Sequence, residues 1–370
     1  MGYFPLRAAQ LQSEVREREK VSLVFRHLVL PITDCGVCAA GSGNSPAVRD
    51  ITLDVVVTDK AGTPIRGLQQ NDFTLLDNKE TRPLTSFRAV DVQAGTPAPY
   101  IEVVVVIDAI NADSLKATSE REGVRKFLQS NGGKLAVPVS VVVVSDNPTQ
   151  IRSKPSTDGN AQAALVDQYV TGLRTVNESQ GNYGVAERFQ MSMKALASLA
   201  GYEAVKPGRK LFLWISPGWP LLLSGSSNVT SQEQERIFQS IVALSTQLRQ
   251  DHITLYNIET RGVGGTSTGE YYDYEQCLKG VKSRNQAYPA GLSLQVLSVQ
   301  TGGRVFNQSN DLPADIAAEI AKGAADAGVF YVLSFASDPS DRVNEYHSLE
   351  VKVARPGMTV RTRTGYYAQP

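Results

Sequence analysis

Cysteine, histidine and tryptophan are scarce in this chain of 370 residues. Its three cysteines, Cys35, Cys38 and Cys277, are too few for the disulfide framework that stabilises small secreted domains. Cys35 and Cys38 form a single C-x-x-C pair, and the three histidines are scattered singly. A zinc site would need two more ligands, so the hypothesis of a zinc or redox site competes with that of two thiols in a loosely ordered leader.

Net charge is also absent. The chain carries 37 basic and 37 acidic residues, which cancel at neutral pH. Nothing in this balance suggests the basic surface by which proteins bind nucleic acids or anionic membranes, and we expect neither partner. No apolar run reaches the roughly 18 residues that a membrane-spanning helix needs, so no integral membrane segment is expected. A near-neutral surface suits protein partners, and nothing in the sequence indicates an oligomeric state.

The first 48 residues have the composition of a leader and linker. Their start is charged, an apolar stretch covers 21–30, and a glycine- and serine-rich linker covers 40–46. An apolar stretch followed by small residues has the outline of a secretory signal, but Arg26 and His27 interrupt it. A chain start upstream of the true one is one explanation, which predicts a secreted, periplasmic or envelope protein. A disordered leader of a cytoplasmic protein is the other.

The rest of the chain changes character twice. Residues 49–98 predict short strands with turn residues between them. Residues 99–328 alternate nearly continuous apolar runs with helical segments, and such runs are typical of parallel strands buried on both faces. Residues 329–370 return to β structure. The buried strands of the middle segment are predicted at 102–108, 139–144, 211–215 and 253–258.

This succession predicts an α/β fold with a doubly wound, mostly parallel sheet that carries helices on both faces. We expect the antiparallel strands of 49–98 and 329–370 to pair into one sandwich-like second domain, with the α/β unit inserted between them. Two separate β appendages are the alternative arrangement.

Polar residues follow three of the predicted buried strands. Ligands of doubly wound sheets bind beyond the carboxyl ends of the strands, near the point where the strand order reverses. The segments 108–113, 216–219 and 259–262 occupy such positions. They are therefore the first places to look for a functional site.

Several segments resemble the von Willebrand factor type A domain. The buried strand that ends in Asp108 and precedes a helix resembles the opening of that domain, and residues 207–220 resemble the central strand of the type A-related proteins of acidobacteria. The resemblance covers about 50–370 and implies a type A, Rossmann-like fold with a protein-binding or adhesion role. Further segments match the same group in consistent order, at 67–74, 301–304 and 363–368.

The resemblance also implies a metal-ion-dependent adhesion site, in which a D-x-S-x-S loop and neighbouring loops hold Mg²⁺. Mg²⁺ takes six oxygens in octahedral array and keeps several waters. Asp108 matches the first aspartate, but Ile110 and Ala112 occupy the serine positions and cannot ligate. Asp108, Asn111 and Ser216 are thus the predicted metal residues of a degenerate site, and no cofactor other than Mg²⁺ is expected. The competing interpretation is a relic in which Asp108 caps the following helix.

Aromatic residues supply the candidates for partner binding. Tyr271, Tyr272 and Tyr274 lie among carboxylates in a connection that is long for an α/β unit. Trp219 follows a Pro-Gly pair near the predicted site. The competing interpretations are that the tyrosine rings cover the edge of the sheet and that Trp219 packs into the core.

The sequence contains no P-loop and no H-E-x-x-H. The sequence therefore predicts a non-enzymatic, adhesion-type module that binds a protein ligand and is secreted or associated with the envelope. A metal-dependent hydrolase that uses Asp108, Asn111 and Ser216 is one alternative. A structural scaffold of an envelope assembly is the other.

Overall fold

The computed structural model describes most of the chain after residue 49. The predicted leader, the proposed boundary between 98 and 99, and two of the candidate tyrosines, Tyr271 and Tyr272, lie outside the described residues. The described ranges are 50–92, 100–145, 151–168, 181–219, 229–260, 274–306, 312–338 and 342–369.

Strands and helices follow one another in the predicted succession of β, α/β and β segments. The strands are β1 (Asp50–Thr58), β2 (Phe73–Asp77), β3 (Glu80–Arg82), β4 (Ser86–Asp91), β5 (Ile101–Asp108), β6 (Lys134–Val144), β7 (Ile151–Arg152), β8 (Ser156–Asp158), β9 (Arg209–Ser216), β10 (Ile253–Glu259), β11 (Val305–Phe306), β12 (Val329–Ala336), β13 (Tyr346–Val353), β14 (Thr359–Arg361) and β15 (Gly365–Tyr367). The helices are α1 (Ser114–Gln129), α2 (Gly159–Gln168), α3 (Gly181–Ala204), α4 (Ser231–Gln250), α5 (Leu294–Gln300) and α6 (Leu312–Gly328).

The middle segment forms a sheet with the strand order β11-β10-β9-β5-β6-β7, in which β8 also pairs with β6. The pairs among β5, β6, β9, β10 and β11 are parallel, whereas β7 and β8 run antiparallel to β6. If these six strands are numbered from 1 to 6 along the chain, starting at β5 and leaving out β8, their order in the sheet is 3-2-1-4-5-6. This is the order of a doubly wound sheet, and its direction reverses between β5 and β9. Every residue of these two central strands is buried, as their continuous apolar runs predicted.

Helices cover both faces of this sheet, because alternate side chains of each strand point to opposite sides. On one face, Val104 and Val106 of β5 pack with apolar residues of α3, α4 and α5. On the other, Val103 and Val105 pack with α1, α2 and α6. Burying each such side chain contributes about 1.5–3 kcal/mol, so both layers stabilise this unit. No helix within the described residues is long and apolar enough to cross a membrane.

The flanking strands form two antiparallel sheets, with the orders β14-β1-β12-β4 and β15-β13-β2-β3. Each sheet combines strands from before and after the α/β unit: β1 pairs with β12, and β2 pairs with β13. Their inner faces share one apolar core that includes Leu53, Leu75, Leu333 and Tyr366. The predicted sandwich with an inserted α/β unit is therefore confirmed.

A buried aspartate on α6 joins the α/β unit to the sandwich. Asp326 Oδ2 accepts hydrogen bonds from Tyr256 Oη at 3.0 Å and from Arg361 Nη2, on β14, at 2.8 Å. The guanidinium of Arg304 lies 3.4 Å from the same oxygen. Two cations thus compensate one carboxylate that is fully buried at the junction.

Candidate functional site

The reversal of strand order brings the predicted metal residues together. Asp108 ends β5 and Ser216 ends β9, and these adjacent parallel strands leave the sheet at the same edge. Both residues are 0% exposed. Ser216 Oγ donates a hydrogen bond of 2.9 Å to Asp108 Oδ2, and Asn111 Nδ2 donates one of 2.9 Å to the same oxygen. The structure therefore gathers the trio that the sequence indicated.

The carboxylate of Asp108 is the acceptor at the centre of this group. Its Oδ1 accepts from the backbone N–H groups of Ile110 at 3.0 Å and Asn111 at 3.2 Å. Its Oδ2 accepts, besides the two side chains above, from the indole Nε1 of Trp214 at 3.0 Å. Five donors thus converge on two oxygens, and we call this arrangement the Asp108 hub.

Local sequence explains why the loop after β5 closes on Asp108. Ile110 and Ala112, at the two positions where the resembling family has serines, are buried at 2% and 4% exposure. Their burial turns the loop inward, and the N–H groups at its start point at Asp108. The cap of α1 is Asp113, whose Oδ1 accepts from the backbone N–H of Lys116 at 2.8 Å. The interpretation of Asp108 as the helix cap is therefore wrong, because α1 begins only at Ser114.

The hub does not fit a magnesium ion in this arrangement. A cation needs oxygens with free lone pairs, whereas both oxygens of Asp108 face N–H or O–H groups. Ser216 Oγ is also engaged on its acceptor side, by the backbone N–H of Gly218 at 3.1 Å. The leftover acceptor of the trio is Asn111 Oδ1, which is buried and has no hydrogen-bond partner among the described residues. Within the same residues, no group of three His, Cys, Asp or Glu side chains is placed to hold a metal.

A second buried acid belongs to the same edge of the sheet. Glu120, on α1, accepts a hydrogen bond of 2.7 Å from the hydroxyl of Thr260, which directly follows β10. Burial raises the pKa of Glu120 to about 8; the bond from Thr260 opposes the rise, and the charges of Asp108 and Asp113 add to it. The acid is thus mostly protonated at neutral pH. The sequence analysis missed Glu120, although its spacing of four residues from the buried Val124 indicated an inward position.

The candidate partner-binding aromatics have different outcomes. Trp219 is only 1% exposed, and its ring packs edge-on against Trp214 with centroids 5.2 Å apart. Its assignment to a partner-binding surface is therefore corrected, since the ring fills the core between the sheet and its helices. Tyr274 is half-buried at the start of a short 3₁₀ helix, Tyr274–Cys277.

A cleft of about 760 Å³ opens where the sandwich meets the α/β unit. We call it the junction cleft. Its floor carries the half-buried rings of Phe238, on α4, and Tyr346, at the start of β13, and each packs edge-on or tilted against Tyr367. The remaining lining is polar or exposed and comprises Asn78, Lys79, Lys282, Ser283, Arg342, Val343, Asn344, Glu345 and Ser348. The sequence analysis did not find this cleft.

Comparisons with known proteins are distant. No family model and no curated protein matches the chain. An aerotolerance-related membrane protein from Bacteroides fragilis is 13% identical, with 60% of this chain and 99% of that chain covered and a TM-score of 0.32. The manganese-loaded TRAP protein of Plasmodium vivax is 9% identical, with 78% and 97% covered and a TM-score of 0.30.

The pilus adhesin SpaC from Lactobacillus rhamnosus GG is 9% identical, with 86% of this chain covered and a TM-score of 0.34. The chain spans about half the length of that adhesin, 48%. Identities and TM-scores this low decide neither family nor activity. The fold class therefore rests on the strand order and the packing described above.

Proposed function

We propose that this protein is a non-enzymatic module that binds another protein through the junction cleft and needs no metal ion to do so. The observation that carries the proposal is the lining of the cleft. Aromatic rings form its floor, and exposed polar and cationic side chains form its rim. Protein interfaces have this composition, with aromatic and arginine residues enriched and a polar rim around them.

The Asp108 hub supports the non-catalytic part of the proposal. A hydrolase would need a nucleophile or a metal-bound water that a substrate can reach. Asp108 and Ser216 are both fully buried, and the carboxylate already accepts five hydrogen bonds. Its chemistry is that of a polar hub that fixes the ends of β5 and β9.

We further propose that the protein acts outside the cytoplasm, secreted or within the envelope, as a variant of the type A-related proteins it resembles. The support is the apolar stretch over 21–30 and the small residues after it. Mass spectrometry of the protein from its own cells tests this. A mature chain that begins near the 40–46 linker is expected, whereas an intact chain in the cytoplasmic fraction would contradict it.

Photo-cross-linking tests the binding function. A photoreactive amino acid replaces Val343, which lines the cleft and is 61% exposed, and in a matched control it replaces Val205, which is 87% exposed elsewhere on the surface. We expect the Val343 probe to capture a defined protein that the Val205 probe does not. The captured protein is then purified and its binding measured, with Tyr346→Ser expected to weaken it. Equal capture from both positions, or none from Val343, would contradict the proposal.

A further inference from the structure

We infer that the junction cleft selects an acidic partner: a flexible protein segment that carries carboxylates beside at least one aromatic or aliphatic side chain. This inference rests on the proposed binding function and adds the chemistry of the ligand to it. Three independent features of the cleft support it, namely its charge, its backbone conformation and its floor.

Cations outnumber acids in the lining of the cleft. Lys79, Lys282 and Arg342 are exposed, and Glu345 is the one carboxylate among the lining residues. Glu345 already pairs with Arg342 at 3.3 Å. Within the described residues, neither lysine side chain forms an ion pair, so both ammonium groups can meet carboxylates of a ligand. On a chain whose charges sum to zero, this local excess is a property of the cleft rather than of the whole surface.

Left-handed backbone conformations are concentrated in the same lining. Five non-glycine residues among those described have positive φ, and three of them, Asn78, Lys79 and Asn344, line the cleft. Asn78 and Lys79 are the two turn residues of the β2–β3 hairpin, with φ of 50° and 73°. Such two-residue turns favour Asn-Gly, because both residues need positive φ.

Lysine at the second turn position is therefore an unfavourable choice for the hairpin itself. In its left-handed conformation the Cβ of lysine comes too close to the backbone, which a glycine would avoid. Strained residues of this kind persist where a site needs their side chains. Here the side chain of Lys79 lies at the rim of the cleft, where it can contact a ligand.

The floor offers a pre-positioned ring to an apolar side chain of the same ligand. Tyr346 donates a hydrogen bond from its hydroxyl to the backbone O of Thr364 at 3.3 Å. A Cβ on either Gly280 or Gly365 would overlap this ring, so two glycines make room for it. A ring held in place loses little conformational entropy on binding. The ligand we infer thus places one apolar side chain on Tyr346 and Phe238, with carboxylates toward the cations.

A protein segment fits this lining better than other anions do. Small-molecule sites are mostly apolar, whereas most lining residues here are polar. A densely charged nucleic acid or anionic glycan would bring its charges against Glu345. A peptide can alternate carboxylates with apolar groups and leave space for that acid.

Selection from a random peptide library displayed on phage tests the inference. The immobilised full chain is the bait, and selected peptides are made in labelled form for affinity measurements. The cleft variants are Lys79→Gly and the double variant Lys282→Glu/Arg342→Glu. Lys194→Glu, which reverses an exposed lysine on α3, is the matched control. Circular dichroism checks that each variant is folded. If the double variant does not fold, Lys79→Gly still tests the contribution of the cleft cations.

We expect enrichment of peptides rich in Asp and Glu that also contain an aromatic or aliphatic residue. Their affinity should fall about tenfold in the double variant and with rising salt, and it should be unchanged in Lys194→Glu. Selected peptides that are neutral or basic, yet lose binding in Tyr346→Ser, would overturn the acidic preference and leave the binding function standing. Failure to select any peptide that depends on the cleft residues would overturn both proposals.

Discussion

The indole Nε1 of Trp214 donates a hydrogen bond of 3.0 Å to Asp108 Oδ2. The donor comes from β9, the strand next to β5 in the sheet, and it points at the carboxylate that the sequence analysis predicted as a metal ligand. The N–H proton of the indole thus occupies a position beside Asp108 Oδ2 where a metal ion would otherwise bind. Asp108 therefore acts as a buried hydrogen-bond acceptor that stabilises the fold.

Asp108→Ala should destabilise the protein by about 3–5 kcal/mol, because the buried donors of Trp214, Asn111 and Ser216 would lose their shared acceptor. Urea denaturation measures this difference, and Mg²⁺ or Mn²⁺ should change neither the wild-type nor the variant midpoint. The control Asp113→Ala, which removes the cap of α1, should cost only about 1 kcal/mol. A wild-type midpoint that rises with Mg²⁺, absent in Asp108→Ala, would show that the hub opens to bind the ion.

Glu120 should make the protein less stable as the pH rises. Its folded-state pKa of about 8 lies above its ordinary value of 4.5, so the folded form keeps a proton that the unfolded chain releases. The contribution of this proton to stability is fully present below pH 4.5. Between pH 4.5 and about pH 8, each pH unit lowers the free energy of unfolding by about 1.4 kcal/mol.

Replacing the acid with its uncharged isostere tests this titration. Glu120→Gln should be more stable than the wild type at pH 8, and its denaturation midpoint should depend less on pH. Glu122→Gln, on the same helix, should keep the wild-type slope. Identical pH slopes in wild type and Glu120→Gln would mean that the buried acid does not titrate in this range.

Lys79→Gly should stabilise the fold while it weakens binding. Relief of the left-handed conformation raises the free energy of unfolding by about 1–2 kcal/mol. The greater freedom of glycine in the unfolded chain lowers it by about 0.5–1 kcal/mol. A net gain of about 0.5–1 kcal/mol is expected in thermal denaturation. Lys60→Gly, at an exposed turn position without positive φ, should instead lose stability. A loss of stability in Lys79→Gly would show that Lys79 contributes to the fold itself.

Trp219→Ala should cost about 3–5 kcal/mol, because the buried ring leaves a cavity against Trp214. Chemical denaturation followed by far-UV circular dichroism measures the change. Leu115→Ala, at a position 82% exposed, should stay within about 0.5 kcal/mol of the wild type. A Trp219→Ala protein of unchanged stability would restore the surface role that the sequence analysis gave this residue.

Long apolar runs and strand order made the α/β unit predictable. The run of valines in β5 indicated a strand buried on both faces, and parallel strands share one carboxyl edge, which brought Asp108 and Ser216 together. The direction of the hydrogen bonds was not predictable. It depends on Trp214, whose indole comes from inside a strand that read as pure core.

The junction cleft was out of reach of sequence patterns for a different reason. It is assembled from segments far apart in the chain, around Lys79, Lys282 and Tyr346. Its hairpin also lacks the Asn-Gly signal that marks a two-residue turn, so strand β3 was not predicted. The two-residue β7 and the three-residue β8 and β15 were missed as well, since strands this short carry no periodicity.

The insertion of the α/β unit between the two halves of the sandwich sets an order of assembly. Thr52 on β1 contacts Ser334 on β12, 282 residues later in the chain. Closing so long a loop in an unfolded chain is entropically expensive, but a folded insertion holds its own two ends in place beforehand. During synthesis, β1 to β4 therefore emerge first, and their edges stay unpaired until β12 and β13 have been made. Until then, these unpaired edges can pair with other chains, which is a route to aggregation.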